Sequence, residues 1–168
     1  ARGRAAQFGI PAVFDSVETM LENVEADAID VAAPREFHTS ICRMAAARGL
    51  AILCQKPLAP TFAEAEALVE ELPASVRIMV HENWRFRPHY RLIRDWLRAG
   101  RIGEVRTVAM SVLTSGLLPD ANGRLPALER QPMLAGLERM LVMEILIHHI
   151  DTLRCLLGPL ELASAQIG

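Results

Sequence analysis

Two segments of the 168-residue sequence hold side chains able to move protons. The first is Gln55-Lys56-Pro57, at the end of the apolar run Ala51 to Cys54. A lysine facing a crevice rather than bulk water can exchange a proton with a substrate hydroxyl. The rigid Pro57 would fix the turn that aims it. The plain alternative is a solvated surface lysine after a strand. The second segment runs from Met143 to Gly158 and contains Glu144, His148 and Asp151. At i, i+4 and i+7 of a helix these three share a face, while His149 points elsewhere. An imidazole with a carboxylate one turn before it can act as a base with its orienter. The same spacing also admits a helix-surface ion pair, or two ligands of a metal site for which no third ligand is indicated. His38, four residues after Pro34, either lines a crevice or caps a helix. His81 and Glu82 end a strand and can point either way. His89 reads as solvated, and Trp84 and Phe86 as packing between domains rather than a stacking platform.

The elements that must position these residues follow from periodicity. Helices are predicted over 15–25, 36–49 and 61–72, and short buried strands over 28–34, 50–54 and 76–82. Thr61 with Glu64 three residues on forms a capping box, and Gly49 sits where a helix C-terminus wants a left-handed residue. Strand–helix alternation with tight links signals a parallel, doubly wound sheet. Ligands of such sheets bind outside the strand C-termini. "AAPREFH", "CQKP" and "VHENWRF" all lie at that edge. The second half is predicted to hold a helix over 89–103, an antiparallel-type strand over 104–114 and a loop near 115–132. A long helix over 136–157 and a last strand over 161–167 follow. The fold class expected is therefore α/β: a partial Rossmann-like parallel sheet (1–85), followed by part of an α+β domain with a mostly antiparallel sheet (86–168).

Composition removes several function classes. A formal charge of −2 argues against a nucleic-acid binder, which needs a basic face. No apolar run reaches membrane-spanning length. The polar N-terminus lacks a signal-peptide core. Cys42, Cys54 and Cys155 are odd in number and widely spaced, as expected of reduced thiols in a cytoplasmic protein.

Taken together, "FGIPAVFDSVETML", "AIDVAAPREFH", "AAARGLAILCQKPLAP", "ENWRFRPHYRLIRDWLRAGRIGEV" and "EILIHHIDTLRCLLG" resemble the glucose–fructose oxidoreductase/inositol dehydrogenase/MocA (Gfo/Idh/MocA) family of NAD(P)-dependent oxidoreductases. The resemblance implies hydride transfer between a nicotinamide cofactor and a hydroxyl-bearing carbon of a sugar, cyclitol or similar small molecule. It makes Lys56 the lysine that hydrogen-bonds the reacting hydroxyl, His148 the base and Glu144 its carboxylate partner. It places Pro34, His38, Gln55, Lys56, Pro57, Asn83 and Arg85 near NAD or NADP. Gln55 stands where the family usually has glutamate, and Glu144 where it usually has aspartate. Residues 1–168 contain none of the family's G-x-G-x-x-G turns. The expectation is therefore a truncated chain with open sheet edges that binds dinucleotide poorly, and a possible homo-oligomer in its parent form. A non-catalytic relic or interaction protein on the same scaffold is the competing expectation. The residue that separates NAD from NADP lies outside the sequence.

Overall fold

The computed structural model describes residues 1–166. Its elements begin where local chemistry dictates. After α1 (Arg2–Phe8), the Ser16 hydroxyl accepts the Thr19 amide at 3.1 Å and opens α2 (Val17–Asn23). Strand β1 (Ala28–Val31) leads through a 3₁₀ turn (Arg35–Phe37) into α3 (His38–Ala47). Gly49, at φ 72°, lets the chain turn back. The Leu50 amide then reaches the Ala45 carbonyl and the Gly49 amide the Ala46 carbonyl, the paired bonds of a glycine-terminated helix. Strand β2 (Ala51–Gln55) follows, then α4 (Phe62–Glu71). Thr61 and Glu64 close the predicted capping box: the Glu64 amide donates to the Thr61 hydroxyl, and the Thr61 amide donates to Glu64 Oε2. Strand β3 (Ile78–His81) completes a parallel sheet in the order β1-β2-β3, with Val31 beside Cys54 and Gln55 beside His81.

The helices cover one face of this sheet. Val31, Ile52 and Cys54 project from it into a core shared with Ile41, Cys42 and Ala45 of α3 and Leu68 of α4. The shared hydrogen bond with Cys42, and then burial, push the Cys54 thiol well up, so it stays protonated. The other face carries Ala28, Ala51, Leu53 and Met79 along an open groove. Parallel strands normally have both faces covered. Residues 11–15 lie outside the sheet.

The chain divides into two compact units, Ala1–His81 and Glu82–Gly168, a few residues ahead of the expected boundary. Asn83 and Arg85 thus belong to the second unit. That unit contains a 3₁₀ turn (Trp84–Phe86), α5 (Pro88–Arg98), α6 (Pro126–Arg130), a second 3₁₀ turn (Pro132–Gly136), a π-helical turn (Leu141–Leu146) and α7 (Ile147–Leu157). Two expectations need correction. Residues 104–114 form no strand, and neither do 161–166; residue 167 lies outside the described residues. A strand is defined by its partner, and the second unit offers no ladder among its described residues. The long helix predicted over 136–157 is regular only from Ile147. Ahead of it Arg139 adopts φ 53°, and the chain then winds with i→i+5 bonds. No helix of the described residues is long and apolar enough to cross a membrane.

Candidate functional site

The first unit gathers its chemistry at the C-terminal edge of the sheet. Gln55 and His81 end neighbouring strands in register, and Gln55 Nε2 lies 2.6 Å from His81 Nδ1. The amide donates, so Nδ1 accepts. The Gln55 carbonyl oxygen remains as the acceptor for a ligand hydroxyl. Lys56, the sole lysine of the sequence, follows directly and is partly buried; the Lys56–Pro57 peptide is cis.

His38 departs from the role the resemblance implies. Its ring is 1% exposed, with Nδ1 2.8 Å from the Pro57 carbonyl and Nε2 2.8 Å from the Ala33 carbonyl. Both nitrogens face backbone oxygens, so the side chain holds the turn after β1 against the turn after β2 and has no edge left for a cofactor. Pro34 is exposed on the first of these turns and Pro57 is buried in the second.

The second unit builds its site around His148. The carboxylate on its Nδ1 is that of Glu82, both of whose oxygens lie 2.7 Å away, where the sequence pointed to Glu144. Glu144 lies in the π-helical turn that precedes α7. Glu82 is itself fixed: only 7% of the residue is exposed, and its Oε1 accepts the Trp84 amide at 3.1 Å.

The Trp84 indole lies flat on the His148 ring, with centroids 4.6 Å apart and planes 2° from parallel. It meets His149 edge-on, and the Arg87 guanidinium carbon stands 3.7 Å from its centroid. His149 is buried, and its Nδ1 donates to the Ile145 carbonyl at 2.8 Å. Trp84, read from sequence as domain packing, is instead a plate against which the imidazole rests.

Asp151, placed by spacing on the face of His148, is held by Arg85 through two parallel hydrogen bonds, and this pairing raises the Arg85 guanidinium above its usual range. Asn83 is exposed. The Arg85–Asp151 pair ties the 3₁₀ turn to α7. Arg85→Ala is expected to lower stability by about 1–2 kcal/mol, the value of a charge-assisted pair reduced by its partial exposure. A lower urea midpoint at unchanged slope is the readout.

The arrangement sets the tautomer of a neutral His148 ring. With Nδ1–H donated to a carboxylate, the neutral ring keeps its lone pair on Nε2. Glu82 was missed in sequence because its partner lies 66 positions away. The local signal was a strand-end carboxylate two residues before an aromatic, whose amide it hooks. Toward a dinucleotide, the first unit offers the Gln55 amide, the Lys56 amine and buried guanidinium donors of Arg35 at the edge where such ligands sit. These fit ribose and phosphate oxygens.

Comparison with known proteins agrees. Residues 1–84 match the Gfo/Idh/MocA family, described as an oxidoreductase family with an NAD-binding Rossmann fold. The chain is 33% identical over 165 residues to D-apiose dehydrogenase of Paraburkholderia graminis, covering 98% of this chain and 42% of that protein. An oxidoreductase from Agrobacterium radiobacter, solved with NAD+, L-tartaric acid and magnesium, superposes with a TM-score of 0.76 at 28% identity, over 92% of this chain and 43% of that one. Levoglucosan dehydrogenase in complex with NADH and levoglucosan gives 0.73 at 26%, over 94% and 42%. The chain thus spans less than half the length of these relatives. It belongs to the Gfo/Idh/MocA family of NAD-binding oxidoreductases.

Proposed function

We propose that the protein oxidises a hydroxyl-bearing carbon of a sugar, cyclitol or similar polyol, or runs the reverse reduction, using NAD or NADP. The single observation that carries this reading is the Glu82–His148 pair, which leaves an imidazole lone pair on Nε2. The bound nicotinamide supplies the hydride acceptor. Lys56 donates a hydrogen bond to the reacting oxygen and steadies the charge that builds there. His148 takes the hydroxyl proton at Nε2, Glu82 holds the ring and stabilises the imidazolium that forms, and the Gln55 amide accepts a ribose hydroxyl. The D-apiose and levoglucosan dehydrogenases among the relatives support the substrate class. Three free cysteines, two of them buried, support a cytoplasmic protein.

The test is formation of reduced nicotinamide from NAD+ or NADP+ with D-apiose, levoglucosan and myo-inositol. Failure with every pairing at millimolar substrate overturns the reading. Within it, Glu82→Gln is expected to cut kcat about 100-fold with little change in KM. An amide can donate to Nδ1, which moves the ring proton to Nε2 and removes the lone pair. Glu82→Asp, which keeps an acceptor, should retain more activity.

A further inference from the structure

Arg35 is largely buried with donors that no hydrogen bond satisfies. It opens the 3₁₀ turn beyond β1, and its side chain is only 12% exposed. Its Nε and Nη1 are buried without a hydrogen-bond partner. The nearby Glu36 Oε1 is 3.5 Å from Nε, too far for a hydrogen bond, on a side chain 54% exposed. More than nine in ten buried polar groups are partnered in native proteins, and an unmet charged donor costs more than a neutral one. A guanidinium presents two fork-shaped edges. Nε belongs to one and Nη1 to the other, so each edge carries an unmet donor.

The position sharpens the point. The His38 ring sits between the Ala33 and Pro57 carbonyls, 2.8 Å from each, which packs the turn bearing Arg35 against the turn bearing Lys56. Arg35 thus stands at the sheet edge that receives ligands. A neutral polyol needs no guanidinium there, and the guanidinium fork suits carboxylate and phosphate.

We propose that Arg35 is the recognition residue of an anion subsite at this edge, taking the carboxylate of a hydroxy-acid substrate or a phosphate of the dinucleotide. The proposal rests on the hydride-transfer reading for what the neighbouring lysine does. It extends that reading to charged substrates, such as aldonates.

Equilibrium binding on the purified protein tests it, with D-gluconate against D-glucitol (identical but for one carboxylate) and with NAD+. Arg35→Met should weaken either gluconate or NAD+ about ten-fold or more and leave glucitol within about two-fold. Loss confined to gluconate assigns a substrate carboxylate, and loss confined to NAD+ assigns a dinucleotide phosphate; either upholds the subsite. Without ligand, Arg35→Met should melt at the wild-type temperature or above, because Nε and Nη1 make no hydrogen bond and the ion pair with Glu36 is long and half exposed. Should that variant fail to fold, Arg35→Lys keeps the charge, loses the fork and should show the same selective weakening. Equal binding by wild type and variant overturns the proposal, as does a wild type that binds neither anion. None of these readouts needs turnover. An enzyme inactive on every polyol thus leaves the subsite standing, and a refuted subsite leaves hydride transfer to neutral polyols standing.

Discussion

His148→Ala is expected to lower kcat by about 10²- to 10⁴-fold while leaving dinucleotide binding nearly unchanged, the range lost when a positioned base is removed. The size of the effect follows from how completely the ring is prepared. Its Nδ1 is engaged by both oxygens of Glu82, and its face is supported by Trp84 at 4.6 Å. Little reorganisation is left for the moment of proton transfer. The comparison with Glu82→Gln discriminates. If His148 acts by proton transfer, both variants lose kcat, the alanine more. If His148 only packs against Trp84, the alanine variant loses stability and keeps its rate per folded molecule. Steady-state kinetics alongside a melting curve separate the two. An alanine variant with full turnover removes the mechanism.

The second large effect concerns the fold. His38→Ala is expected to destabilise the first unit by about 3 kcal/mol, combining a carbonyl left without its donor and a cavity in a tightly packed region. The ring is 1% exposed and bridges the Ala33 and Pro57 carbonyls at 2.8 Å each. His38→Phe isolates the polar part. It fills the volume but donates nothing, so its loss should remain above about 1 kcal/mol. Chemical denaturation followed at an unchanged slope measures both. A phenylalanine variant as stable as wild type would show that packing alone accounts for the site. Lost function in either variant would arise through a displaced Lys56 turn, not through a missing ligand contact.

The contrast between these two histidines shows what a sequence can disclose. Local rules governed the first unit: the Thr61–Glu64 box, the Gly49 terminus and the alternation that became β1 to β3 all formed where pattern and propensity put them. Residue type and interval singled out position 148, but they could not disclose the carboxylate on its Nδ1. An α-helical interval favoured Glu144, which lies in a wide turn beginning at Leu141 that no simple period announces. The pairing of Glu82 with His148 and of Arg85 with Asp151 joins residues 66 apart, and such meetings come from packing. Residues 104–114 failed in the opposite way. Their alternation is suited to a strand, but pleated backbone without a neighbour has no ladder to join. Arg35 was invisible because an arginine after a strand usually points to water.

The contact between Gln55 and His81 sets a polarity at the sheet edge. An amide nitrogen facing Nδ1 obliges the neutral imidazole to carry its hydrogen on Nε2, so His81 offers that atom outward as a donor. A glutamate at position 55 would demand the opposite arrangement, turning the outward atom into an acceptor. One oxygen-for-nitrogen exchange on a neighbouring strand thus reverses which ligand groups this imidazole can greet, without moving a single backbone atom.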